Sequence, residues 1–241
     1  MTRIALARRP LSDGRRAGHS GVMAGTKSPE DAYTAAPFVP EGADLGALRE
    51  AAAGCHGCPL HRDTTQTVFG AGDPDARVVL VGEQPGDQED RQGKPFVGPA
   101  GKVLDRALDE AGIDPDETYI TNAVKHFKFT HVPERGKRRI HKPPSLRELS
   151  ACGPWLEAEL ELIEPEVVVA LGATAGKALL GSSFRVTKQR GTRLEGAPSG
   201  PARGALIVPT IHPSAVLRAD DREAVYEGLV ADLRVAAEVL G

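Results

Sequence analysis

Four short apolar runs, Arg77–Gly82 (RVVLVG), Tyr119–Val124, Val167–Leu171 and Ala205–Val208, are separated by segments whose apolar residues recur at helical spacing. Strands that are apolar at nearly every position are buried on both faces. When they alternate with helices, the usual result is a mostly parallel sheet with helices on each side. Helices are expected over Pro99–Ile113, Ser145–Ile163, Ala173–Leu180 and Arg222–Leu240, and one more starts near Asp44. Pro99 suits a first helical turn, and Ser145 with Glu148 three residues on has the form of a capping box. The expected fold is therefore of the α/β class, a single-domain three-layer α/β/α sandwich with a mostly parallel central sheet, spanning residues 41–241. Residues 1–40 lack either periodicity and read as a flexible N-terminal extension; Met23 is a second candidate for the start of the chain.

Composition removes several classes. A chain of 241 residues with 40% hydrophobic and 26% charged residues has enough apolar material for one sizeable core. No stretch approaches the roughly 20 consecutive apolar residues of a membrane-spanning helix. The opening MTRIALARRPLSDGRR has no apolar core followed by a cleavage site, so a cytoplasmic protein with no membrane contact is expected. Three cysteines are too few, and odd in number, for a secreted disulfide framework, which leaves thiols that are free or bound to metal. The net charge of −3 hides an asymmetry, because the strip Lys125–Lys142 carries seven Lys/Arg against one Glu. A basic strip on an acidic chain points to a polyanionic partner, or else to a solvated loop.

In sheets of this kind ligands bind outside the carboxyl ends of the strands. The segments falling there are GEQPGD (Gly82–Asp87), NAVKH (Asn122–His126), GATAGK (Gly172–Lys177) and TIHPS (Thr210–Ser214). None is a phosphate loop of the G-x4-G-K-[S/T] form. GPAGKV (Gly98–Val103) has the wrong glycine spacing, and GATAGKA is a residue short and ends in Ala178, so nucleotide hydrolysis is not expected. Cys55 and Cys58 form a C-x2-C pair that could place two thiolates on one metal, with Cys152 as a distant third. A fourth ligand could come from His56, His61, His126, His131 or His141. Only ten residues are aromatic, yet Phe96, Phe127 and Phe129 lie in polar segments, where a ring can stack on a nucleobase; core packing is favoured for Phe127 and Phe129.

Taken together, GEQPGDQEDRQGKPFVGPAGKVLD (Gly82–Asp105), TNAVKH (Thr121–His126) and IHPSAVL (Ile211–Leu217) resemble the uracil-DNA glycosylase superfamily, especially its iron–sulfur members. The insertion GKRRIHKPPS (Gly136–Ser145) resembles the UdgX branch, whose members become covalently linked to DNA. The likeness runs from about Leu45 to Leu240.

The resemblance implies a [4Fe–4S] cluster held by Cys55, Cys58, His126 and Cys152, with His126 where the commoner pattern has a cysteine; a Cys3His zinc site is the rival. It implies that Phe96 stacks on a flipped uracil and Asn122 reads its edge, with Gln84, Gly86 and Asp87 in the loop around the base. Glu83 and His212 would flank the scissile bond, and His141 would attack the sugar, with neighbouring cations disfavouring its protonation. Lys137, Arg138, Arg139 and Ser214 would hold DNA phosphates. The partner implied is uracil-containing DNA, preferably single-stranded, with free uracil as product; a monomer suffices. Two other readings stay open: a turnover glycosylase using water, and a cluster-containing protein that binds DNA without cleaving it.

Overall fold

The computed structural model describes residues 33–131 and 138–241. In chain order the elements are α1 (Leu45–Ala52), β1 (Ala71–Gly72), β2 (Val78–Gly82), α2 (Asp87–Gln92), α3 (Pro99–Ala111), β3 (Thr118–Asn122), β4 (Phe129–His131), β5 (Arg139–His141), α4 (Leu146–Ile163), β6 (Val167–Leu171), α5 (Ala173–Leu180), α6 (Val186–Gln189), β7 (Leu194–Glu195), β8 (Leu206–Thr210), α7 (Ser214–Arg218) and α8 (Arg222–Leu240). The main sheet has the order β1-β3-β2-β6-β8-β7. Its four inner strands run parallel, and the two-residue edges β1 and β7 run antiparallel. Short edges of this kind leave little unpaired backbone to recruit another chain.

Successive side chains of a strand point to opposite faces, and both faces are covered. Val79, Val81, Val168, Ala170 and Ile207 pack with residues of α1, α4 and α5 on one side. Val78, Leu80, Val167, Val169 and Val208 pack with residues of α3 and α8 on the other. The expected three-layer sandwich is therefore present. The capping box forms as read: the Ser145 hydroxyl accepts from Glu148 N, and the Glu148 carboxylate accepts from Ser145 N.

Two expectations are corrected. The packed fold begins before residue 41, because Ala35 is buried and its amide donates to Ala151 O at 2.7 Å. Residues 1–32 of the expected extension, Met23 among them, lie outside the described residues. The basic strip is not simply a loop, since β4 and β5 form an antiparallel pair with Phe129 opposite His141 and His131 opposite Arg139. No helix among the described residues is long and apolar enough to cross a membrane.

The topology sets the position of the site. From β2 the chain first pairs β3 on one side, then crosses to lay β6 and β8 on the other. That reversal opens a crevice at the carboxyl ends of the inner strands.

Candidate active site

A cavity of about 700 Å³ occupies this crevice, lined among others by Glu83 after β2, Asn122 at the end of β3, Gly172 after β6 and His212 after β8. Its floor depends on two glycines. A Cβ on Gly82 would run into Asn122 Oδ1 and the Phe96 ring, and one on Gly101 would collide with the Phe96 carbonyl. Phe96 itself has a positive φ of 53°, a conformation unfavourable for a non-glycine residue. Strain of this kind tends to persist where function requires it. Here it lays the ring against His212, with centroids 5.8 Å apart and planes 30° apart.

Asn122 is almost wholly buried, and its Oδ1 has no hydrogen-bond partner among the described residues. Most buried acceptors are satisfied, and one left alone costs about 1–3 kcal/mol. An acceptor lining a cavity in this state is matched by a ligand that brings a donor.

His212 is a donor by elimination. Ser214 N donates to its Nδ1 at 3.1 Å, and the Ser214 hydroxyl lies 2.8 Å from the same nitrogen. Burial, reinforced by Arg218 and His141, lowers its pKa to about 4, so the ring is neutral at pH 7. With Nδ1 accepting, the ring proton sits on Nε2.

His141 reaches the cavity from the β4–β5 pair. Its Nε2 stands 3.4 Å from Glu83 Oε1. Burial lowers its pKa, the Glu83 carboxylate pulls it up, and Arg218 lowers it further. The flanking cations expected to have this effect are not its source; the groups that lower the pKa are the surrounding protein and Arg218. Glu83 is held in turn by the hydroxyl of Thr174.

Several expected site residues serve the hairpin instead. The Gln84 amide donates to Lys128 O and Lys142 O at 3.2 and 3.0 Å, and its Oε1 accepts from Lys128 N. Gln84 therefore holds both strands of the β4–β5 pair together at one end, beside the Phe129–His141 pair, with the groups expected to face the base. Arg139 is not free for phosphate: its largely buried guanidinium is paired with Asp87 and Asp90 and lies over the Phe127 and Phe129 rings. Asp87 accordingly turns to Arg139 and Arg91, while Gly86 borders the cavity. Arg138 is exposed, Ser214 lines the cavity, and Lys137 lies outside the described residues. Thr174, Asp90 and Arg218 were missed. Thr174 stood in view within GATAGK, but only as part of a failed phosphate loop.

On the far side of β3, Cys55, Cys58, Cys152 and His126 are all buried and no disulfide joins the cysteines. Cys152 Sγ accepts from Lys125 N at 3.2 Å, and Cys55 Sγ from Trp155 Nε1 at 3.3 Å. N–H groups directed at buried sulfurs stabilise thiolate charge, as around metal-bound cysteines. The donor set fits a thiolate–imidazole metal group in its chemistry. Among the described residues, however, no group of three or more His, Cys, Asp and Glu is arranged to hold a metal ion. Of the other candidate ligands, His56 and His61 bond backbone carbonyls and His131 is exposed.

Fold and site define a class: an α/β protein whose switch-point pocket offers a planar ring, an unsatisfied amide acceptor, a neutral imidazole donor and an imidazole–carboxylate pair, an apparatus suited to bond cleavage at a flat heterocycle. Residues 69–234 match the family model of the uracil DNA glycosylase superfamily, and the chain belongs to that family. It is 41% identical to the Type-4 uracil-DNA glycosylase of Thermotoga maritima over 68% of this chain and 78% of the relative. It is 34% identical to that of Sulfurisphaera tokodaii over 72% and 76%, respectively. A Type-5 uracil-DNA glycosylase of Thermus thermophilus is 39% identical over 47% of this chain and 53% of its own.

The neutral state of His212 is checked by NMR titration. Its ring is expected to keep the Nε2–H tautomer down to about pH 4, whereas an unfolded histidine titrates near 6.5. The unfolded chain then takes up this proton first, so stability falls as pH drops from about 6.5 and this contribution levels off below about 4. A midpoint near 6.5 in the folded protein would contradict the assignment.

Proposed function

We propose that this protein excises uracil from DNA and is captured on the resulting abasic site through His141. The observation that carries the reading is the buried Asn122 Oδ1, without a donor among the described residues, lining a cavity large enough for a flipped nucleotide. Uracil presents a donor at N3–H beside an acceptor at O4, the complement of a carboxamide. Family membership and the Type-4 relatives support the same substrate. Single-stranded DNA is the preferred form, because extruding an unpaired base costs less.

In this reaction Phe96 stacks on the base and Asn122 holds its edge. As the bond from C1′ to uracil N1 breaks, its electron pair leaves with the base. The Nε2–H of His212 then stabilises the negative charge, a preorganised donor placed where charge develops. His141, in the tautomer with its proton on Nδ1, gives the Nε2 lone pair to C1′ while the Glu83 carboxylate stabilises the positive charge; the imidazolium so formed loses its Nδ1 proton to solvent, and the uracil anion takes up one proton from solvent. A neutral imidazole is needed, and its lowered pKa provides one at pH 7. Arg138 and the neighbouring Lys137 supply phosphate contacts, while Arg139 holds the strand that carries His141.

Cys55, Cys58, His126 and Cys152 would hold the [4Fe–4S] cluster of this reading, fastening the segment after α1 to the end of β3. Such a cluster would supply structural cross-linking and no chemistry to the glycosidic bond. Burial pushes the Cys152 thiol up to about 12, so ligation has to displace a tightly held proton. Anaerobically purified protein is expected to be brown and to contain about four irons per chain; stoichiometric zinc instead would remove the cluster.

The covalent step is tested with labelled uracil-containing single-stranded DNA on a denaturing gel. Wild-type protein is expected to give a slow, denaturant-resistant band. His141→Ala is expected to lose that band while retaining some excision, because Asn122, Phe96 and His212 remain. Free abasic product with turnover from wild-type protein would favour the water-using enzyme, and unchanged DNA would favour a binding protein.

A further inference from the structure

We propose that the buried ion pair Lys125–Glu159 is the positioning device for Asn122, and so sets the geometry of base recognition. This rests on the reading that Asn122 holds uracil. Both side chains are essentially inaccessible, at 1% and 0%. The three ammonium protons of Lys125 are fully used: one goes to Glu159, one to Thr121 Oγ1 at 2.7 Å and one to the Asn122 carbonyl at 2.8 Å. Glu159, from α4, also accepts from Gly70 N, the Tyr119 hydroxyl and Thr121. The pair is thus tied to β3 and to the segment before β1, and neither residue lines the cavity.

A buried ion pair seldom adds net stability over apolar residues of equal volume. This one adds something an apolar pair lacks, a directed donor on the carbonyl of the residue whose side chain enters the pocket. Among the described residues that carbonyl has no ladder partner, because the edge strand β1 pairs only with Tyr119 and Ile120. Without the ammonium the carbonyl would be left unsatisfied, and the backbone would move to find a donor, carrying the Asn122 amide with it. A displacement of about 1 Å at a reacting site can cost about 100-fold in rate. Lys125 and Glu159 are therefore positioning residues, acting through Asn122.

The test uses the full-length double variant Lys125→Met/Glu159→Gln, which removes both charges and leaves neither buried alone. Two quantities are measured: the single-turnover rate of uracil excision, and affinity for DNA carrying a tetrahydrofuran abasic analogue, which has no base to read. Excision is expected to fall about 100-fold, with abasic-analogue affinity within about twofold of wild type, a split that general loss of structure would not produce. Lys125→Gln/Glu159→Gln, with a shorter neutral donor, is expected to show the same split and serves if the methionine variant does not fold. Undiminished excision in a folded double variant, or parallel loss of excision and analogue affinity, would overturn the proposal. Wild-type protein alongside separates the two failures: inert wild type defeats the proposed function, whereas active wild type with an equally active variant defeats only this inference.

Discussion

A buried carboxamide oxygen with no donor is an expensive feature, and among the described residues the arrangement around the pocket keeps Asn122 Oδ1 in that condition. Gly82 leaves it space, since any side chain there would occupy the position of the amide and of the Phe96 ring. Lys125 holds its carbonyl from below. The crossover of the sheet from β3 to β6 places the amide opposite His212, which arrives from β8 with its proton directed away from Ser214. An acceptor and a donor are thereby fixed across one cavity by elements far apart in the chain, and this separation suits a heterocycle that must be gripped while negative charge grows on it.

The second half of the site is assembled differently. His141 lies on a short two-stranded element outside the main sheet, which would be poorly ordered without anchors. Those anchors are the Gln84 amide at its base and the pairing of Arg139 with Asp87 and Asp90 on α2. Both come from the segment that follows β2, the strand that also delivers Glu83. One stretch of chain therefore presents the carboxylate and fixes the imidazole beside it, keeping Nε2 and Oε1 at 3.4 Å. In the proposed reaction a nucleophile on a small two-stranded element acquires the precision of a scaffold residue through these contacts.

The sheet and its main helices were legible because their signals are local. Val167–Leu171 is apolar at every position, and Ser145 with Glu148 forms the cap its spacing suggests. The edge strands β1 and β7 were not, since two residues carry no periodicity and are defined only by their partners. The pocket-lining residues Glu83, Phe96, Asn122, His141 and His212 were all named from motifs, and the structure brings them to one cavity. What sequence could not show was the division of labour. Gln84, Asp87 and Arg139 were expected to face base or phosphate, yet Gln84 is used on the Lys128 and Lys142 backbone, and Asp87 and Arg139 are paired with each other. Side-chain orientation of that kind depends on tertiary neighbours that no spacing encodes. Asp90, buried in the middle of a charged helix, had no signal at all.

The claim that Asn122 reads the base is tested most directly by a crystal structure of the protein with uracil and abasic single-stranded DNA. The account predicts uracil against the Phe96 ring, its N3 within hydrogen-bond distance of Asn122 Oδ1 and its O2 facing His212 Nε2. Uracil seated elsewhere, or with Asn122 Oδ1 still without a donor, would contradict it.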